Sequence, residues 1–182
     1  MSLKIKRVIK LNYMTIKSLD IANGPGCRIS LFVSGCRHHC EGCFNPESWD
    51  FDAGLQFRIS TETRILYLLD NDYIAGLSIL GGEPFEPENM SELYHFIYKV
   101  REKFPNKTIW IYTGFTFEQL MVKELSLKIL ELIDVLVDGK FILKKKDLKL
   151  QYCGSTNQRI INVKKSLYQG KVIEYDKYNF EK

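Results

Sequence analysis

The stretch Arg28-Ile-Ser-Leu-Phe-Val-Ser34-Gly35-Cys36-Arg-His-His-Cys40-Glu-Gly-Cys43-Phe44 decides how this chain is read. Its first seven residues form an apolar run of strand length, and Gly35 then releases the chain into a loop with three thiols in eight residues. Strand-like runs return at residues 77–80, 108–112 and 133–137, each short and apolar. Between them Met90, Leu93, Ile97, Val100 and Phe104 draw one apolar stripe at helical spacing, stopped by Pro105 and Asn106. Ile65, Leu68 and Leu69 make a shorter stripe behind Ser60 and Thr61. Thr116 with Gln119 three residues on reads as a capping box opening a helix over residues 116–130. Strands alternating with helices predict an α/β fold with a mainly parallel sheet, the cysteine loop lying at a strand's end where such sheets place their chemistry. Residues 159–163 and 172–175 flank Gln169-Gly170 and read as a terminal hairpin or edge strands.

At 182 residues the chain suits one domain, with 45% hydrophobic and 26% charged residues, a soluble globular composition. Residues 1–10 read as an extension, and residues 164–182 as a tail without an assigned structure. The richest apolar stretch, residues 125–137, is broken by Lys128, Glu131 and Asp134, well short of the ~20 residues a membrane span needs. The basic N-terminus meets polar Asn12, Thr15, Lys17 and Ser18 at once, so no secretion signal is expected. A reducing, cytoplasmic location follows, and with it metal or redox chemistry for the five cysteines rather than disulfides. The net charge of +4 is mild and dispersed apart from Lys144, Lys145 and Lys146, which argues against a nucleic-acid binder. The triple lysine reads as a solvated loop or as a docking point for an acidic partner.

Cys36, Cys40 and Cys43 suit an iron–sulfur cluster, because gaps of two or three residues let one loop wrap it. Three thiols for four irons leave one iron open to a substrate or cofactor, as an open position marks a catalytic zinc. Zinc, with His38 or His39 completing the set, is the competing reading, although structural zinc sites usually bring two separated ligand pairs. Cys27 and Cys153 stand apart and read as core thiols. His38 and His39 read as loop residues or outer donors, and His95 as a surface histidine. Asp138-Gly139 suggests a turn, and Asp134 with Asp138 would make a carboxylate pair only on a regular strand.

The cysteine spacing followed by an aromatic, Phe44, resembles the radical S-adenosylmethionine (SAM) superfamily. Gly81-Gly82-Glu83-Pro84 is similar to that superfamily's glycine-rich motif for the methionine end of SAM. Glycines there let the backbone approach a ligand, so a Cβ at Gly82 is expected to hit SAM and spare the cluster, and Glu83 to meet an ammonium group. Residues 23–28, 44–49, 110–114, 134–141 and 154–159 resemble the glycyl-radical-activating enzymes, in particular the type that serves anaerobic ribonucleoside-triphosphate reductase. The likeness spans residues 13–163.

The resemblance implies a partial, open βα barrel of the radical SAM type, formed as one domain over residues 1–182. It implies a [4Fe-4S] cluster on Cys36, Cys40 and Cys43, with SAM held by Gly42, Cys43, Phe44, Gly81, Gly82, Glu83, Pro84 and Thr113. One electron then cleaves SAM, and the resulting 5′-deoxyadenosyl radical takes hydrogen from a glycine of the reductase, so no protein side chain is assigned as catalytic. The implied partners are the reductase and a low-potential donor such as flavodoxin. Alternatives are an activase of the pyruvate formate-lyase type, a radical SAM enzyme acting on a small molecule, and a zinc-stabilised binding module.

Overall fold

The computed structural model describes residues 10–176; residues 1–9 of the expected extension and the last six of the tail lie outside the described residues. Seven strands form one open sheet: β1 (Asn12–Asp20), β2 (Cys27–Val33), β3 (Leu55–Gln56), β4 (Ile74–Gly81), β5 (Thr108–Tyr112), β6 (Val135–Asp138) and β7 (Arg159–Asn162). Their order is β3-β1-β2-β4-β5-β6-β7. The neighbours β2, β4, β5 and β6 are parallel, while β1, β3 and β7 run antiparallel at the edges. The α/β reading therefore holds, with a sheet that is mixed and not closed. Parallel neighbours need crossovers, and these carry α1 (Ile59–Leu69), α2 (Pro87–Lys103), α3 (Phe117–Met121) and α4 (Glu124–Leu130).

Strand alternation divides the central sheet into two faces. Ile29, Leu31, Val33, Leu77, Ile79, Ile109, Ile111 and Leu136 join the core beneath the helices. The opposite face carries Trp110, Val135 and Val137, against which Tyr152, Cys153 and Tyr175 pack. Arg28 is fully buried on that second face. Its guanidinium donates to Ser78 Oγ at 2.8 Å, Thr108 Oγ1 at 2.9 Å, and the Leu77 and Thr108 carbonyls at 2.8 and 2.9 Å. It also lies 5.5 Å from the centre of the Trp110 ring. Burial lowers its pKa to about 10, which leaves it charged at neutral pH. The guanidinium thus floors the second face near the strands' N-terminal ends, and the C-terminal ends remain for the site.

Three expectations change. Strand β1 has no sequence signal, because only Tyr13 and Asp20 of its nine residues are buried and bulges interrupt its pairing with β2. The helix expected over 116–130 opens on the expected cap, with Thr116 N donating to Gln119 Oε1 at 2.9 Å, but it breaks at Val122 and Lys123 into α3 and α4. An unbroken helix from Phe117 would turn Glu124, Lys128 and Glu131 into the core; the break presents Ser126, Ile129 and Leu130 instead. In the tail, β7 is indeed an edge strand. Gln169-Gly170, however, ends a helix, α5 (Val163–Gln169), rather than turning a hairpin, and Gly170 takes the left-handed φ of 65°. The chain then returns beside β7, with Tyr175 N donating to the Ile160 carbonyl at 2.7 Å.

Arg28→Ala strands several buried acceptors at once. It is expected to lower the unfolding free energy by about 3 kcal/mol, read as a lower urea midpoint at unchanged slope. An unchanged midpoint would show that the guanidinium contributes nothing to folding.

Candidate active site

Each of the four parallel strands ends in a residue run that builds the site. From β2 the chain enters Ser34-Gly35-Cys36, from β4 Gly82-Glu83, from β5 Thr113-Gly114 and from β6 Gly139. These runs surround one cavity of about 450 Å³, lined by Cys36, Cys40, Cys43, Phe44, Gly81, Gly82, Glu83 and Thr113 among others. The three thiols and the glycine-rich turn, separated by some forty residues, thus share one space. Gly42 and Pro84 do not line it. Gly42 faces away, its open side filled by Leu143, 2.8 Å from where a Cβ would stand. Pro84 is buried under the turn.

Glu83 is the residue on which these runs meet. Its carboxylate is 1% exposed. Oε1 accepts from the Phe85 amide at 2.9 Å and Thr113 Oγ1 at 2.8 Å; Oε2 accepts from the Gly114 amide at 2.7 Å and His38 Nε2 at 2.8 Å. A carboxylate accepts at about four positions, so these donors use all of them. His38 is an outer donor, as expected, locked edge-on against Phe115. His39 stacks on Trp49.

The first half of the cysteine loop is held closely. Gly35 and Cys36 donate their amides to the Ser48 and Trp49 carbonyls at 2.8 and 3.0 Å, and Gly35 O accepts from Glu83 N at 2.8 Å. Asn89 Nδ2 bridges the Ser34 and Glu83 carbonyls at 2.9 Å each. Arg37 donates its amide to buried Glu86 at 2.8 Å, pairs through its guanidinium with Glu86 and Glu88, and lies 4.3 Å over the Phe51 ring. The second half packs on residues 139–158, where Gly154 leaves room for Phe44 and Phe141. Gln158 Oε1 accepts from Gly154 N at 2.8 Å and its Nε2 donates to the Gly139 carbonyl at 3.1 Å, so the 154–159 segment is the staple of this wall.

The donor set fits an iron–sulfur cluster. All three cavity-lining cysteines of the loop are thiols outside any disulfide. Among the described residues no three His, Cys, Asp or Glu side chains are gathered around a point as one metal ion would require. Burial pushes the Cys36 thiol up to about 11, with the Glu83 charge adding to it; burial also raises Cys40, while the Phe141 amide and Lys140 pull it down. Iron held by these thiols would take the place of their protons. Tyr112, whose hydroxyl is buried without a hydrogen-bond partner, lines the same cavity and offers a polar group to a second ligand.

A family model described as "4Fe-4S single cluster domain" matches residues 22–161. The anaerobic ribonucleoside-triphosphate reductase-activating protein of Pasteurella multocida is 44% identical over 152 residues, covering 82% of this chain and 96% of the relative. Those of phage T4 and Escherichia coli K12 are 40% and 39% identical, covering 93% and 96% of their own lengths and 82% and 81% of this chain. The chain belongs to this family of reductase-activating proteins.

Several site residues of this activating-protein family member were not singled out in the sequence, although Tyr112, Phe141 and Gln158 fall within segments that carry the family resemblance. Lys17 lies on the unforeseen β1, and Tyr112, Phe141 and Gln158 reach the cavity only through the fold. Cys153, expected in the core, packs on the Trp110 cluster and also lines the cavity. Cys27 is half-buried against the main core, and His95 is exposed, as expected. Asp138 and Asp134 do not form a pair: Asp138 is buried with Arg159, and Asp134 binds Arg101 and Lys164.

Gly82 gives the sharpest correction. A Cβ there would stand 2.7 Å from the Gly35 carbonyl oxygen, so the close approach is to the cysteine loop itself. Gly82→Val is therefore expected to displace Cys36 and to lower iron content and SAM affinity together, measured by iron assay and ligand titration. Full iron content with only SAM affinity lost would restore the ligand-clash reading.

Proposed function

We propose that this chain installs a glycyl radical on an anaerobic ribonucleoside-triphosphate reductase, with a [4Fe-4S] cluster held by Cys36, Cys40 and Cys43 and SAM bound beside it. One observation carries the reading: three thiols of one loop and the Gly81-Gly82 turn line a single cavity at the C-terminal ends of parallel strands. The open mixed sheet is read as the partial barrel of the radical SAM type, and residues 1–182 as one such domain. When bound, the cluster and SAM supply one-electron cleavage of a sulfonium, chemistry able to remove an α-hydrogen from glycine.

The chain's own residues position and shield these groups. Cys36 stands on a segment fixed from both sides by hydrogen bonds within the protein. With the Glu83 carboxylate engaged, the backbone of Gly81-Gly82 is what this turn offers the amino-acid end of SAM. Phe32, Leu80, Tyr112, Phe44 and Phe141 wall the cavity and exclude water from reactive chemistry. A low-potential donor such as reduced flavodoxin supplies the electron; plant-type ferredoxin clusters lie near about −400 mV. No described helix is long and apolar enough to cross a membrane. Thiols outside disulfides suit the reducing cytoplasm.

Anaerobic reconstitution tests the assignment. Cys36→Ala, Cys40→Ala and Cys43→Ala are each expected to lose most of their iron and all SAM cleavage, and Cys27→Ala to keep both. Cys153→Ala is expected to keep its iron. With reductase added, the wild-type protein is expected to give an EPR-visible glycyl radical. Retention of iron by Cys40→Ala with its loss in Cys27→Ala would overturn the ligand set, and a loaded protein that leaves the reductase without a radical would overturn the substrate.

A further inference from the structure

We infer that the lysine loop of residues 140–149 is the docking surface for an acidic electron-transfer protein, a partner that must come close to the cluster without entering the cavity. The inference rests on the cluster reading above. The segment holds Lys140, Lys144, Lys145, Lys146 and Lys149 against one acidic residue, Asp147, and all five lysines are exposed.

This loop lies against the cysteine loop from outside. Leu143 fills the space over Gly42, next to Cys43, and Lys146 Nζ sits 5.1 Å from the centre of the Phe44 ring. The lysines are also held in place by their backbone. Lys145 N donates to the Ile142 carbonyl at 2.8 Å, Lys145 O accepts from Thr156 N at 2.9 Å, and Lys146 bridges to Ser155.

The choice of occupant follows from what this surface does not do. None of the five lysines, nor Gly42 or Leu143, lines the cavity, whereas a peptide bringing its glycine to the reacting groups must enter it. A partner on the lysine face gains proximity to the ligand loop from outside, with Phe44 and Phe141 as the wall between it and the cavity, which is what electron transfer needs. Weak redox encounters bury little surface, below about 1,200 Å², and depend on opposite charge to raise their association rate. Phe44, 57% exposed beneath Lys146, adds an apolar centre to the basic rim. Each encounter moves one electron: the donor is oxidised by one, the cluster reduced by one, and no covalent bond changes in either protein.

The test compares the cluster-loaded wild-type protein with the combined variant Lys144→Gln, Lys145→Gln, Lys146→Gln, and with a control variant Lys165→Gln, Lys171→Gln. Cluster bleaching is followed by stopped flow with reduced flavodoxin as the acidic probe over a salt series, and with a photoreduced deazaflavin as a small reductant. The triple variant is expected to react with flavodoxin roughly tenfold more slowly at low salt and to lose most of its salt dependence. Its deazaflavin rate, and its glycyl-radical yield once pre-reduced, should match wild type, as should every rate of the control. A wild-type flavodoxin rate in the triple variant across the series overturns the proposal. So does an unchanged flavodoxin rate with a reduced radical yield after pre-reduction, which would assign the face to the reductase. Failure of the wild-type protein to hold iron overturns the underlying cluster reading instead, and is seen before any donor is added.

Discussion

The Glu83 carboxylate draws four donors from three separate stretches of chain into one buried point: His38 from the cysteine loop, Phe85 from its own turn, and Thr113 and Gly114 from the end of β5. A charge removed from water at this depth is tolerated only when its lone pairs are filled, and here they are. The geometry of the cavity depends on that requirement. If the cysteine loop, the glycine-rich turn or the Thr113-Gly114 corner moved away, a buried anion would lose a partner. The side chain that most resembles a ligand group in the motif is thus spent on holding the walls together.

Glycines at the same corner extend this logic. Gly35, Gly82 and Gly114 each stand where a Cβ would strike a neighbour that carries the site: Phe51, the Gly35 carbonyl and the His38 ring respectively. Close packing of backbone on backbone brings the β2 and β4 ends near enough for thiols and turn to share a cavity. On the outer side, Leu143 seated on Gly42 brings a basic loop against the cysteine loop, and Phe141 of the same loop walls the cavity. Entry of a peptide and delivery of an electron can then occupy different faces.

The two faces of the sheet have different tasks. Under the helices the central strands contribute mainly aliphatic bulk, with Tyr13 of β1 beside it. On the other face Arg28, Ser78 and Trp110 fill the floor with a hydrogen-bonded, ring-stacked plug, and Phe32, Leu80 and Tyr112, two to four residues further along, face the cavity. The same alternation that makes a strand therefore grades this face from sealed floor to open site.

The sequence by itself determined the α/β class, the order of the central elements, the three-thiol loop at a strand's end and the family resemblance. Each of these is local: an apolar run, a helical stripe, a capping pair, a cysteine spacing. Tertiary structure decided what local pattern cannot carry. Strand β1 forms because β2 and β3 supply partners to a half-polar segment, and the helix after Thr116 breaks because its later residues must be re-phased to bury Ile129 and Leu130. Whether Glu83 faces a ligand or the protein depends on donors contributed by residues 38, 113 and 114, and whether Gly82 spares SAM or spares Cys36 depends on a carbonyl 47 residues away in the chain. Cys153 and Tyr112 reach the cavity for the same reason: spacing along a chain records which residues share a strand or loop, and only the packing of strand upon strand fixes which of them meet across it.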